Sequence, residues 1–259
     1  YPNQEISLAA AIAYSDNIYA VKTHLFLGSD VLVDTMKRVG ITTKLDSIPS
    51  LALGSQPISL LEMTNAYAVL ANEGYRVKPY FINRVEDING NVLYERKDTK
   101  EAVLNKSITY ILSELLANTS NGNFIGYTYP TSYVIANKLT RKYAIKTGTT
   151  EYDHLVFGYN KDVVVGVWSG YDDNRELEYG DTTANKNLWA DIIEKYLDDK
   201  EDNWYSMPNN VVGVLVDPIT GKLATEETEK SVIQYYLKGT EPSNDYNLDD
   251  AVPTIKYDE

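Results

Sequence analysis

Apolar residues recur with helical spacing over the first 74 residues of the chain. The pattern predicts four helices, in residues 7–14, 18–28, 29–40 and 59–74. Glycines at the ends of the second, third and fourth segments are expected to stop these helices, and the expected N-caps are Ser29 and Ser59. The first segment is apolar nearly all round, so we expect it to be buried on every side, against a segment that this chain does not contain.

The spacing changes to that of strands after Gly74. Residues 75–97 are expected to form a hairpin that turns at Asn89–Gly90, and Asn105 is expected to cap a further helix. Strands are then predicted at 142–147, 155–159 and 163–171, followed by an amphipathic helix at 186–199. Short loops between these strands favour an antiparallel meander, so the order of elements indicates an α+β fold with the sheet sandwiched between helices.

The last fifth of the chain has a different sequence pattern from the rest. The stretch "VVGVLVDPITGKLATEE" predicts a strand pair that turns at Asp217–Pro218 and Gly221. We therefore expect a main domain at 1–202 and a small β-rich extension at 203–259. Its acidic tail, after Gly239, is expected to be loosely packed.

Composition excludes several classes of function. The net charge of −13 and the lack of a Lys/Arg cluster argue against a nucleic-acid partner. With no Cys and only two His, the chain has no metal-ligand pattern, and we expect neither a metal nor a cofactor. No apolar run approaches the roughly 20 residues of a membrane-spanning helix, so any membrane contact is expected through an anchor upstream.

The candidate chemistry lies in "RKYAIKTGTTEYDHLVFGYN", residues 141–160. A cation, hydroxyl groups and a glycine at the end of a strand fit a phosphate loop, an ordinary turn or one wall of an acyl-transfer site. A phosphate loop needs glycines before its lysine, and residues 143–145 contain none. K-T-G alone favours a turn, but S-D-N at residues 15–17 is the second tripeptide of a known acyl-transfer set. The set places S-D-N between two helices and K-T-G on a strand, as predicted here.

The chain resembles the transpeptidase domain of class A, bifunctional penicillin-binding proteins. The resemblance rests on "YSDNIYAVK", "SLALGSQPISLLEMTNAYAVLANEGYRVKPYFI", "LTRKYAIKTGTT" and "VVVGVWSGYDDN". The stretches "VVGVLVDPITGKLAT" and "YYLKGTEP" resemble a small C-terminal extension of some Gram-positive members. The implied fold is the α+β fold shared with β-lactamases. The implied activity is a serine D,D-transpeptidase or carboxypeptidase that crosslinks D-Ala-D-Ala stem peptides and is inhibited by β-lactams.

The resemblance also implies roles for individual residues. Ser15 and Lys146 would form the proton route, with the lysine cation polarising the serine hydroxyl. Asn17 would bind the peptide carbonyl of the substrate. Thr147 and Thr149 would receive the terminal carboxylate, Gly148 would let the substrate backbone approach, and the Thr149 N–H would be an oxyanion donor.

The sequence departs from the family in the nucleophile. No serine is followed by a lysine three positions later, so S-x-x-K is absent. We expect the nucleophile to precede Tyr1, in an upstream segment that partners this chain, and this chain alone to be inactive. Ile145 and Leu155 are lesser departures, where relatives commonly carry a glycine and an aromatic residue. The full protein is expected to carry a glycosyltransferase that uses lipid-linked precursor, on the outer face of the bacterial cytoplasmic membrane.

Two alternatives remain open at this point. A serine β-lactamase would need a carboxylate that activates water, and Glu62 is the candidate, although a capping box with Ser59 also explains it. A non-catalytic sensor of β-lactams or muropeptides would suit the missing nucleophile.

Overall fold

The computed structural model of the chain describes residues 5–97, 99–177 and 182–243. The helices within these residues are α1 Leu8–Tyr14, α2 Asn17–Leu27, α3 Ser29–Val39, α4 Leu60–Ala71, α5 Lys106–Ala117 and α6 Thr182–Leu197. The strands are β1 Tyr75–Arg76, β2 Arg84–Glu86, β3 Val92–Glu95, β4 Glu101–Ala102, β5 Ala144–Thr149, β6 Asp153–Tyr159, β7 Val164–Gly170, β8 Val211–Val216 and β9 Val232–Leu237.

The four predicted N-terminal helices are confirmed, but two of their ends differ from the prediction. α4 ends at Ala71 with Asn72 as its C-cap, before Gly74, and the N-cap of α3 is not Ser29. Gly28, at φ 96°, is the N-cap of α3, and Ser29 is the first helical residue. Because α2 runs to Leu27, a single residue separates the two helices, and glycine supplies the backbone angle that this sharp join requires. Asn105 caps α5 as predicted, and its side chain accepts from the backbone N–H of two following residues.

The predicted meander is present, but its first strand is shifted by two residues: it runs over Ala144–Thr149, whereas the sequence pattern predicts 142–147. β5, β6 and β7 form an antiparallel sheet in that order. Gly148 pairs with Leu155 and Thr149 with His154, so the K-T-G motif lies inside β5 and does not end it. Polar side chains suggested a strand end, whereas unbroken pairing with β6 sets the true end after Thr149.

Helices cover both faces of this sheet. On one face, the buried Trp189 of α6 packs in a cluster with Tyr143, Ile145 and Val156. On the other face, Tyr67 of α4 stacks on Phe157, with ring centroids 5.0 Å apart. The predicted sandwich of an antiparallel sheet between helices is therefore confirmed.

The C-terminal hairpin has a different partner from the one predicted. The turn at residues 217–221 forms, closed by a bond from Gly221 N–H to the Asp217 carbonyl of 2.9 Å. β8 pairs along its length with β9, and the segment after the turn contributes one bridge, Val216 to Leu223. Alternation alone did not reveal that β9, which begins at Val232, pairs with all six residues of β8.

The α1 helix is buried by residues of this chain. Ala10 and Ala13 pack in a cluster with Phe124, Val216 and Val232, the last two from the hairpin. The expectation that this apolar surface packs against a segment outside the chain is therefore wrong for most of the helix, and Leu8 is the large α1 side chain left exposed. The boundary near residue 203 stays a prediction. The tail after Ser243 lies outside the described residues.

Candidate active site

The S-D-N motif forms the tight turn between α1 and α2. Ser15 ends α1 in the left-handed region, at φ 55° and ψ 50°, a conformation uncommon for a residue with a side chain. Asp16 then caps α2, because its Oδ1 accepts from the Tyr19 N–H at 2.8 Å. The turn leaves Ser15 half-buried and Asn17 exposed.

Lys146 reaches this turn from the middle of β5. Its Nζ donates to Ser15 Oγ at 2.7 Å and to the carbonyl of Thr147 at 2.7 Å. The expected contact between the two motifs is therefore present. The strand's alternation explains it, because Lys146 pairs with Phe157 and so lies on the sheet face that α4 covers, beside α1 and α5.

Burial changes the acid–base behaviour of Lys146. Desolvation of its amine lowers the pKa from 10.5 to about 8. No carboxylate hydrogen-bonds Lys146 within the residues that the structure describes, so its charge is held by the Ser15 hydroxyl and a backbone carbonyl. The amine is therefore cationic at neutral pH and titrates near the physiological range, which suits a group in a proton route.

The outer edge of β5 is open over the K-T-G-T segment. β5 pairs with β6 on one side only, among the described strands. On the other side, Thr119 Oγ1 donates to the Ile145 carbonyl at 3.1 Å, which closes the edge at that residue. Thr147 and Gly148 are half-buried and Thr149 is exposed. A peptide strand can therefore pair along this edge from Lys146 onward.

Tyr127 is a site residue that sequence reasoning missed. A cavity of about 400 Å³ adjoins the turn, lined by Tyr14, Ser15, Asp16, Asn17, Tyr127 and Thr128. The Tyr127 hydroxyl donates to Asp16 Oδ2 at 3.3 Å, and its ring meets Tyr14 edge-on, with centroids 4.8 Å apart. Its distance of 111 residues from Asp16 left no local signal in the sequence.

Comparison with known proteins decides the family. The family described as "Penicillin binding protein transpeptidase domain" matches residues 1–187, which include both motifs. The chain belongs to the penicillin-binding protein transpeptidase family. A second family, "Penicillin-binding protein 1A, C-terminal domain", matches residues 207–244, the region of the β8–β9 hairpin.

Individual penicillin-binding proteins are similar over most of the chain. Penicillin-binding protein 2D of Bacillus subtilis (strain 168) is 43% identical over 245 residues, which cover 94% of this chain and 36% of that protein. Penicillin-binding protein 2a of Streptococcus pneumoniae (serotype 2, strain D39) is 32% identical over 75% of this chain and 27% of that protein. The chain thus spans about a third of the length of these relatives, and the resemblance to class A members is confirmed.

Solved penicillin-binding proteins share the fold. Penicillin-binding protein 1A of Haemophilus influenzae superposes with a TM-score of 0.84 at 23% identity, over 95% of this chain and 44% of that one. The PonA1 protein of Mycobacterium tuberculosis in complex with penicillin V gives 0.66 at 20% identity, over 78% of this chain and 59% of that one. Among the residues that the structure describes, no helix combines the length and hydropathy needed to cross a bilayer.

The hydrogen bonds of Glu62 give it a structural role. The β-lactamase alternative would instead require its carboxylate to activate a water molecule. Its carboxylate accepts from the backbone N–H and hydroxyl of Thr42, at 2.8 and 2.6 Å, and from Thr43. These bonds, the Thr42 hydroxyl first, lower the pKa of Glu62 to about 2. The capping contact with Ser59 is also present, since Ser59 Oγ accepts from the Glu62 N–H at 3.2 Å. Glu62 therefore anchors the turn after α3.

The two histidines also lie in structural positions. His24 is buried, and its Nε2 is 3.1 Å from the carbonyl of Ile48, which joins α2 to the 3-10 turn at Pro49–Leu53. His154 pairs with Thr149 in the sheet, and its carbonyl accepts from Asn185 Nδ2 at 2.6 Å.

Proposed function

We propose that this chain supplies the K-T-G side of a serine D,D-transpeptidase that crosslinks peptidoglycan stem peptides. The observation that carries the proposal is the 2.7 Å contact between Lys146 Nζ and Ser15 Oγ, which joins two motifs 131 residues apart. Proton transfer needs groups within hydrogen-bond reach, and this pair meets that requirement.

The reaction proceeds through an acyl-enzyme. The nucleophile is a serine of an S-x-x-K motif upstream of Tyr1. Its Oγ forms a bond with the carbonyl carbon of the penultimate D-Ala, the peptide C–N bond breaks, and the terminal D-Ala leaves as an amine. The proton released from the nucleophile's hydroxyl passes through Ser15 and Lys146 to that amine. The amine of a second stem peptide then takes the acyl group, and water as acceptor gives carboxypeptidase activity.

The substrate lies along the open edge of β5. Its terminal carboxylate is received by the hydroxyls of Thr147 and Thr149, near the Lys146 cation. Gly148 presents no side chain, so the substrate backbone can approach the strand closely. Asn17 donates to the amide carbonyl of the stem peptide, and the Thr149 N–H stabilises the oxyanion.

Two further assignments follow from the family. β-Lactams acylate the same serine, as the penicillin V complex of PonA1 supports for a protein of the same fold. The full protein also carries a glycosyltransferase that uses lipid-linked precursor and an upstream membrane anchor, which places this domain on the outer face of the cytoplasmic membrane.

Residues 1–202 form the transpeptidase part and 203–259 the extension. The partners of Glu62 speak against the β-lactamase alternative.

Covalent labelling with a fluorescent penicillin tests the proposal. The 259-residue chain alone should remain unlabelled, because it lacks the acylatable serine. Mixed with the upstream fragment, it should restore labelling on the serine of that fragment, and the Lys146→Ala variant of the chain should restore little. Robust labelling of the isolated chain would show that one of its own serines is the nucleophile.

A further inference from the structure

The loop at residues 124–128, here called the Tyr127 loop, packs against the C-terminal end of α1, where the S-D-N turn begins. The hydroxyl of Tyr14, the residue before the motif, donates to the Phe124 carbonyl at 2.5 Å in a buried bond. The Tyr127 ring meets Tyr14 edge-on, and the Tyr127 hydroxyl donates to Asp16 Oδ2. The loop therefore contacts the residues on both sides of the motif serine.

The β8–β9 hairpin supports this loop from another side. Lys230, just before β9, donates from Nζ to the Ile125 carbonyl at 3.1 Å. Ile219, in the turn after β8, packs on Gly126. A Cβ added at Gly126 would lie 3.3 Å from Ile219 Cδ1 and 2.8 Å from the Tyr14 hydroxyl. The second of these distances is too short for a carbon atom, so a glycine is needed for the loop to lie this close to α1 and the hairpin.

The same hairpin also holds α1. Val216 of β8 and Val232 of β9 pack in one buried cluster with Ala13 of the helix. Ser7, the N-cap of α1, donates from its hydroxyl and its backbone N–H to two carbonyls of the hairpin turn, at 2.8 and 2.7 Å. Two supports of the S-D-N turn, α1 and the Tyr127 loop, therefore both rest on the hairpin.

Ser15 needs firm support because its backbone angle, φ 55°, is unfavourable for a residue with a side chain. Such an angle persists only where the surrounding structure fixes it. Ser15 Oγ lies 2.7 Å from Lys146 Nζ, and a shift of the turn by about 1 Å would take this pair out of normal hydrogen-bond range. The proton route therefore depends on how precisely the turn is held.

We propose that the β8–β9 hairpin is a positioning element of the transpeptidase site. Lys230 holds the Tyr127 loop, and the Tyr127 hydroxyl holds the Asp16 carboxylate. Because Asp16 directly follows Ser15, this series of contacts keeps Ser15 in place against Lys146. The inference rests on the proposed function and adds to it a role for the C-terminal extension.

A double-mutant cycle in the full-length protein tests the proposal, with the rate constant of acylation at saturating penicillin as the readout. Tyr127→Phe removes the hydroxyl and keeps the ring, and Lys230→Met removes the ammonium and keeps an unbranched side chain. Each change should lower the rate constant about threefold to tenfold, the effect of losing one ordinary hydrogen bond. Because Lys230 acts through Tyr127, the double variant should be no slower than Tyr127→Phe alone.

Lys238→Met is the matched control for Lys230→Met. Lys238 is also exposed, but it directly follows β9, at the far end of a strand that spans about 20 Å. This variant should keep the wild-type rate constant. A wild-type rate constant in Lys230→Met, or two effects that multiply in the double variant, would overturn the proposal.

Hydrogen exchange gives a readout that does not depend on acylation. The Tyr19 N–H donates to Asp16 Oδ1, so its exchange reports how firmly the carboxylate is held. This exchange should be about threefold to tenfold faster in Tyr127→Phe and in Lys230→Met, for the same loss of one hydrogen bond, and unchanged in Lys238→Met. Unchanged exchange in Lys230→Met, with normal labelling of the wild-type protein, would refute the positioning role alone. Faster exchange in a protein that penicillin does not label would support the positioning of Asp16 and refute the transpeptidase proposal.

Discussion

The lowered pKa of Lys146 makes a specific prediction about the pH dependence of acylation. If Lys146 acts as a cation, the rate is supported below its pKa and is lost as the pH rises through about 8. With that pKa, about 90% of Lys146 is charged at pH 7 and about 10% at pH 9, so the second-order rate constant should fall about tenfold. A lysine with the ordinary pKa of 10.5 would lose only about 3% of its charge by pH 9.

The assay is the rate of fluorescent penicillin acylation of the full-length protein between pH 6 and 10. Lys146→Arg is the matched variant, because an arginine keeps its charge over this whole range. The acylation rate of this variant is expected to be lower, since a guanidinium does not fit the 2.7 Å contact to Ser15 Oγ. The fall in rate near pH 8, the alkaline limb of the profile, should however be absent. A rate that rises through pH 8, or a limb that survives in Lys146→Arg, would refute the cationic role.

Four further substitutions test the site and the fold. Thr149→Val should impair penicillin acylation far more than stability, because it removes one hydroxyl and keeps a β-branched strand residue. Gly148→Ala should also slow acylation with little change in Tm, because its added Cβ would lie 3.5 Å from Leu155, an ordinary contact. Gly158→Ala should destabilise the fold by about 1–3 kcal/mol, because its Cβ would fall 2.3 Å from the Trp189 ring. Glu62→Gln should lower Tm and leave acylation and deacylation rates unchanged.

The same measurements would also show whether the roles predicted for Thr149, Gly148 and Glu62 are wrong. Wild-type acylation by Thr149→Val would remove that hydroxyl from the carboxylate site. Normal acylation by Gly148→Ala, with denaturant unfolding unchanged, would show that substrate does not approach the strand there. Faster accumulation of acyl-enzyme in Glu62→Gln, caused by lost deacylation, would revive the β-lactamase alternative.

Local sequence signals predicted the fold well where local contacts determine structure. Asn105 begins α5 as expected because an N-cap acts over three residues. The meander followed from alternation and short loops. The N-cap of α3 was wrongly assigned to Ser29 because two neighbouring residues gave competing signals. Serine is a residue type that favours the N-cap, but the backbone angle at the join between the helices requires a glycine, Gly28.

Long-range packing determined what the sequence could not show. The strand end at Thr149 depends on pairing with His154, and the partner of β8 depends on a strand beyond an intervening loop. The pKa of Lys146 follows from desolvation on the covered face of the sheet, opposite Phe157. Family resemblance predicted that Lys146 lies beside Ser15, but neither spacing nor composition could predict how deeply the Lys146 amine is buried.

The bond from Thr119 to the Ile145 carbonyl has a consequence for solubility. An exposed sheet edge can recruit edges of other molecules and lead to aggregation, so proteins keep such edges short or interrupted. Thr119 occupies the acceptor that a foreign strand would need at Ile145, and the pairing frame available beyond it is four residues long. A short peptide can pair within that frame, whereas a long strand from another copy would meet an occupied acceptor at Ile145. The hydroxyl thus lets the edge stay open to a small ligand while discouraging self-association.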